Sequence, residues 1–144
     1  MNNALFSSNS DEWATPQDVF QELNDEFHFT LDPCATDRNH KCAHYYTQAD
    51  NGLQQDWGGE CVFCNPPYSD IAHWVRKCYL EGIKKNTVVV LLIPSRTDTK
   101  YFHNYIYQRS EIRFLKGRLH FNDSKWNAPF PSMVVIFRGY TEDK

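Results

Sequence analysis

Apolar positions along the chain follow two spacings, and the switches between them outline the fold. Val19, Phe20, Leu23 and Phe27 recur every three or four residues, which predicts an amphipathic helix over Pro16–Glu26. Thr15 stands at its cap with Pro16 at the first helical position, and Asp18 follows three residues after the cap. Phe27-His28-Phe29-Thr30-Leu31 then alternates, predicting a strand that ends at Asp32-Pro33. Cys61–Cys64 is a short apolar strand. Ile71, Trp74, Val75 and Cys78 share one face of a helix from Ser69 or Asp70 to about Lys85. Thr87–Ile93 is a continuous β-branched run, the pattern of a strand buried on both faces. Asp98–Gln108 is predicted helical, with Tyr101, Phe102, Tyr105 and Ile106 as core. Glu111–Leu115 and Met133–Phe137 are the last strands, expected to pair antiparallel.

Strands and helices alternate, so the class is α/β, a mostly parallel sheet with an antiparallel C-terminal strand. Only 28 residues separate Asp32 from Cys61, too few for two helical crossovers. One reduced connection, largely loop, is expected there. Residues 1–12 read as a flexible arm and residues 13–140 as one domain.

Composition narrows the setting. The 144 residues are 41% hydrophobic and 15% aromatic, enough for a core without staples. Five cysteines, an odd number, with no apolar signal segment in Met1–Ser10, point to a reducing, cytoplasmic location. The longest apolar run, Val88–Ile93, is too short to cross a bilayer. Net charge is −3, yet it is unevenly spread. Residues 1–75 hold two basic and twelve acidic side chains, net −10, and residues 76–144 thirteen basic and six acidic, net +7. That split suits a phosphate-facing surface built from the second half, although solvated helix faces would give the same count.

Chemistry concentrates at Asn65-Pro66-Pro67-Tyr68. Two prolines after a strand can continue neither a ladder nor a helix, so the backbone is stiff and extended. An amide, carbonyls and an aromatic face then sit together at a strand tip. The exocyclic amine of adenine is a poor nucleophile because its lone pair is delocalised into the ring. Acceptors on its two N–H groups, the Asn65 side-chain oxygen and the Pro66 carbonyl, would draw that nitrogen toward a tetrahedral shape. Tyr68 could stack on the base, as base-extruding enzymes require. No metal is expected. Cys61 and Cys64 form one C-x-x-C pair where a zinc ribbon needs two, and strand residues three apart face opposite sides. No P-loop and no G-x-G-x-x-G is present.

Asn65-Pro66-Pro67-Tyr68 after an apolar strand resembles the catalytic motif of S-adenosylmethionine-dependent amino-group methyltransferases. Trp13-Ala14-Thr15-Pro16 resembles the segment that closes over the methionine end of the cofactor in adenine-N6 enzymes. Leu31-Asp32-Pro33-Cys34-Ala35 resembles their Asp-Pro-x-x-Gly turn. From Trp13 to about Phe137, including Lys116-Gly117-Arg118 and Phe130-Pro131-Ser132, the chain is similar to the small phage-type Dam family of DNA N6-adenine methyltransferases.

That resemblance implies a reduced Rossmann-like methyltransferase fold that uses S-adenosylmethionine. It implies double-stranded DNA as partner and a monomer or weak dimer in the cytoplasm, that of the host if phage-encoded. Asn65, Pro66, Pro67 and Tyr68 would hold the target adenine. Trp13, Thr15, Pro16, Asp32, Pro33 and Ala35 would line the cofactor. Asp50 or Asp56 would take its adenosine end, with Asp50 favoured by its distance before the catalytic strand. The family's Gly-x-Gly is replaced by Cys34-Ala35-Thr36-Asp37, which keeps the backbone further from a ligand. DNA would be read from Pro94–Lys100 and Lys116–Asn127, through Arg96, Lys100, Arg113, Lys116, Arg118 and Lys125. Phe121 is a candidate second face on the flipped base. Methylation of an RNA base or a glutamine, and DNA binding without chemistry, are the alternatives that these residues leave open.

Overall fold

The structure, a computed structural model, describes residues 13–141, so the arm expected at residues 1–12 lies outside the described residues. In chain order the regular elements are α1 (Gln17–Phe27), β1 (Cys61–Cys64), α2 (Ile71–Gly82), β2 (Val88–Pro94), β3 (Glu111–Phe114) and β4 (Ser132–Arg138). The four strands form one sheet in the order β1-β2-β4-β3.

β1 pairs parallel with β2, with Cys64 opposite Leu91. β4 runs antiparallel to β2 on one side and to β3 on the other. The expected antiparallel pairing of the last two strands is therefore present. Strand direction is also as expected, with three strands running one way and the C-terminal strand against them. β1, β2 and β3 share a direction, but β4 is inserted between β2 and β3, so two of the three ladders are antiparallel.

β2 is buried on both faces, as its β-branched run requires. Val89, Leu91 and Ile93 face one core with Trp57, Trp74, Val75, Cys78 and Met133. Val90 and Leu92 face another with Phe20, Leu23, Phe63 and Ile136. The period-2 alternation of strand side chains thus builds two cores, one under α2 and one under α1. Cys64 and Cys78 lie in the first, fully buried. Cys61 Sγ instead meets the Phe27 carbonyl at 3.3 Å.

Two predicted elements are smaller than expected. Phe27–Leu31 is no strand: α1 runs through Phe27, and His28 ends it in the left-handed conformation at φ 58°. Pro33, which has no N–H to give, then turns the chain away. Only two isolated parallel bridges remain, Leu31 to Val62 and Asp32 to Tyr45. The helix expected over Asp98–Gln108 is one wide π-helical stretch, Phe102–Ile106, closed by Tyr107 N–H to the Phe102 carbonyl at 2.8 Å. Gln108 at φ 60° stops it. The connection from Asp32 to Cys61 is mostly loop, as its length demands, with a single 3-10 turn at Gly52–Gln54.

Candidate active site

β1 stops at Cys64, and Asn65-Pro66-Pro67 leaves the sheet beside the C-terminal end of β2. Pro67 is extended at φ −65°, ψ 136°, then Tyr68–Asp70 makes a 3-10 turn into α2. The two prolines supply no ladder donors, so the segment leaves the sheet stiffly. Pro66 is buried, and Asn65, Pro67 and Tyr68 are half-buried.

The Asn65 side chain is held by a segment far away in sequence. Its Nδ2 donates to the Trp13 carbonyl and to Thr15 Oγ1, the latter at 3.0 Å. Its Oδ1 is buried and has no hydrogen-bond partner among the described residues. Thr15 was expected to cap α1. Instead Pro16 is the cap residue, no side chain caps the helix, and the buried Thr15 hydroxyl serves Asn65. The Trp13–Thr15 segment is itself clamped. Ala14 N–H donates to Asn122 Oδ1 and Asn122 N–H to the Ala14 carbonyl, both at 2.8 Å.

Aromatic rings enclose the far side. Trp13 stacks on Tyr68 with centroids 5.5 Å apart and planes 19° from parallel. Phe130 meets Trp13 and Tyr68 edge-on at 5.4 and 5.5 Å. The Tyr68 hydroxyl is buried without a partner, and burial pushes its pKa well above the ordinary phenol value. A cavity of about 460 Å³ opens here, lined by Trp13, Tyr68, Pro94, Arg96, Tyr101 and Phe130 among others. It lies within the size range of small-ligand sites.

The residues assigned to the cofactor separate into groups. Trp13, Thr15 and Pro16 adjoin Asn65 and α1, as described. Asp32 is buried, and its carboxylate accepts from Cys34 N–H at 3.2 Å and Lys41 N–H at 2.9 Å. Burial raises its pKa, opposed by those two N–H groups. It thereby closes the loop that carries buried Pro33 and Ala35. Gly52 packs on that turn: a Cβ there would stand 2.2 Å from the Pro33 carbonyl oxygen. This close approach sets the 47–52 turn beside Pro33. Asp50 is exposed in that turn, with Oδ2 taking Thr47 N–H at 2.9 Å. Asp56 is elsewhere. It precedes β1, away from Asn65, and its carboxylate pairs with Lys84 Nζ at 2.9 Å.

The basic residues divide as well. Arg96 reaches the cavity from the end of β2. Lys100, Lys116, Arg118 and Lys125 are exposed. Arg113 is engaged within the fold. Its guanidinium holds both Glu26 oxygens at 2.7 and 2.8 Å and Glu111 at 2.7 Å, tying α1 to β3. Phe121 is fully buried with its ring against Trp13 at 5.7 Å, which makes it core rather than a face open to DNA. Trp126, which belongs to none of the motifs, is 57% exposed beside Lys125, whose ammonium lies 5.3 Å from the indole centroid. A tryptophan inside the polar stretch 122–127 was the available signal. Tyr101, a core position by its spacing, and Phe130, part of the Phe130-Pro131-Ser132 motif, both line the cavity.

Among the described residues, no group of three or more His, Cys, Asp or Glu side chains is arranged for a metal ion. No helix there is long and apolar enough to cross a membrane.

A family model described as DNA N-6-adenine-methyltransferase (Dam) matches residues 2–144. The chain belongs to the Dam family. Adenine-N6 methylation of DNA is the activity that this family is named for. The DNA N-6-adenine-methyltransferase of Haemophilus phage HP1 (strain HP1c1) is 31% identical over 138 residues, covering 90% of this chain and 80% of the phage protein. That of Escherichia phage T1 is 31% identical over 111 residues, covering 76% of this chain and 46% of the relative. The putative methyltransferase YfdM of Escherichia coli (strain K12) is 42% identical over 65 residues, covering 40% of this chain and 71% of YfdM.

Proposed function

We propose that this Dam-family chain transfers a methyl group from S-adenosylmethionine to the N6 amine of an adenine in double-stranded DNA, with the base turned out into the site at Asn65–Tyr68. The observation that carries this reading is Asn65 Oδ1, a buried acceptor with no partner at the tip of β1. A buried polar atom left unsatisfied is costly unless something arrives to meet it. An adenine amine brings two N–H donors. Asn65 Oδ1 would accept one and the Pro66 carbonyl the other. Two fixed acceptors pull the amine out of conjugation and leave its lone pair available, with no reorganisation needed during the reaction. Tyr68 and the aromatic wall around it suit a planar base.

The acidic groups on the Asp32 side would hold the cofactor. S-adenosylmethionine is cationic at its sulfonium and amino groups, and it supplies an electrophilic methyl group when bound. Asp32 and the Pro33–Ala35 turn would line its charged end. Asp50, exposed beside that turn, would accept from hydroxyls or an exocyclic amine of the adenosine end. Asp56, paired with Lys84, is not assigned to it. The sheet order, with β4 antiparallel between β2 and β3 and parallel bridges extending the β1 side, supports a reduced Rossmann-like methyltransferase fold. Arg96, Lys100, Lys116, Arg118 and Lys125 would meet DNA phosphates or base edges.

The test is transfer of labelled methyl by wild-type protein and Asn65→Ala, offered DNA, RNA and protein as acceptors. The expected result is N6-methyladenine in DNA with wild type and a loss of about a hundredfold or more in the variant. The variant should still bind S-adenosylmethionine in calorimetry. Undiminished transfer by Asn65→Ala would remove the proposed role, and methyl appearing only in RNA or protein would change the substrate.

A further inference from the structure

We propose that Thr15 and the Trp13 carbonyl position Asn65, locking its side-chain amide in the orientation that presents oxygen rather than nitrogen to the target amine. This rests on the reading of Asn65 as the acceptor, and it explains how that acceptor is made reliable.

An asparagine side chain has an acceptor end and a donor end of nearly the same shape, so rotation by half a turn exchanges them. In one orientation Asn65 accepts from an adenine amine. In the other it presents N–H groups to N–H groups, and the amine is repelled. Partners must decide between them. A main-chain carbonyl can only accept, so the Asn65 atom bonded to the Trp13 oxygen must be Nδ2. The carbonyl's chemistry thus fixes the orientation of the amide. The second Nδ2 hydrogen goes to Thr15 Oγ1 at 3.0 Å, so both donors are used and Oδ1 is left for a ligand.

The clamp is stiff because its own parts are held. Thr15 is 3% exposed and Trp13 likewise 3%. Ala14, between them, is tied to Asn122 through two hydrogen bonds. The sequence offset of 50 between Thr15 and Asn65 means that the whole N-terminal approach to α1 must dock before the amide is oriented. Thr15 therefore does not touch the reacting atoms. It acts through Asn65.

The test compares Thr15→Val, which keeps the shape and removes the hydroxyl, with Thr15→Ser, which keeps the hydroxyl. In Thr15→Val, kcat is expected to fall about tenfold or more, the size of losing one hydrogen bond, while KM for DNA and for S-adenosylmethionine stays within about twofold. Thr15→Ser should recover most of the loss. A second readout does not depend on activity. The Asn65 side-chain amide protons, assigned in ¹⁵N-labelled protein by their disappearance in Asn65→Ala, should shift and exchange faster in Thr15→Val. Thr15→Ala removes the same hydroxyl and carries the test if the valine variant does not fold. Wild-type kcat in Thr15→Val overturns the proposal, as does a rise in KM for S-adenosylmethionine alone, which would make Thr15 a cofactor contact. Full activity in Asn65→Ala would instead overturn the reading on which the proposal rests, so the two failures are distinguishable.

Discussion

The indole of Trp13 lies on the phenol ring of Tyr68, 5.5 Å between centroids, and so joins the N-terminal approach to α1 with the strand tip that carries Asn65. Trp13 also packs on Phe121 and Phe130, and is 3% exposed. Trp13→Ala should therefore cost about 3–5 kcal/mol of stability, the usual range for emptying a buried aromatic site. That is a large part of what a domain of this size has to lose. Chemical denaturation should show it, with Trp13→Phe far milder. A Trp13→Ala protein as stable as wild type would mean that the stack is incidental.

Tyr68 separates ring from hydroxyl. Its hydroxyl has no partner among the described residues, whereas its ring bears on Trp13 and Phe130. If the ring holds the base, Tyr68→Phe should keep kcat/KM within about threefold. Tyr68→Ala should lose the equivalent of about 1–3 kcal/mol of base stacking. Steady-state kinetics on one DNA substrate decides this. Equal losses in the two variants would assign the role to the hydroxyl.

The charge map predicts which basic residues meet DNA. Each phosphate contact removed lowers the slope of log affinity against log salt by about 0.9. Lys116→Ala and Lys125→Ala, both at exposed positions, should each reduce the slope by roughly that amount. Arg113→Ala should leave it unchanged, since Arg113 is committed to Glu26 and Glu111. Binding isotherms at several salt concentrations would show the difference.

Arg113 has a consequence for acid stability instead. Its hydrogen bonds hold the Glu26 carboxyl below the ordinary glutamate value, and Arg138 with Arg113 does the same for Glu111. The unfolded chain binds protons to these groups more readily than the folded one. Their contribution is therefore fully present above the ordinary glutamate value and is lost as pH falls from there through the lowered one. Asp32 has the opposite sign. Its pKa is raised by burial, so the stability it contributes is fully present below the ordinary aspartate value and is lost as pH rises through the raised one. Arg113→Ala should flatten the acid limb of the stability profile, measured by urea unfolding between about pH 3 and pH 7. The pairs are exposed, so the change is expected to be small. An acid limb as steep as that of wild type would refute this.

Local patterns were good guides wherever one neighbourhood decides the outcome. The β-branched run of β2 reads as a strand buried on both faces because a central strand has no polar side to offer. The apolar spacing of α1 and α2 survives in their buried faces, Phe20 and Leu23 in one, Trp74, Val75 and Cys78 in the other. The motif Asn65-Pro66-Pro67-Tyr68 marks its own place, since two prolines must end a strand. The segment from Phe27 to Leu31 alternates like a strand yet forms none, because the end of α1 and the Pro33 turn leave it length for a single bridge, Leu31 to Val62, and no ladder.

By itself, then, the sequence determined the elements with strong periodicity, the rigid strand end and, through its motifs, the family. Only the tertiary structure decided that β4 enters between β2 and β3, that Arg113 belongs to Glu26 and Glu111, and that Thr15 serves Asn65 rather than the start of α1. The reason is the same in each case. A cap position, a free guanidinium or a strand neighbour is a local offer, and the partner that takes it up is set by which distant segments packing brings within hydrogen-bonding reach.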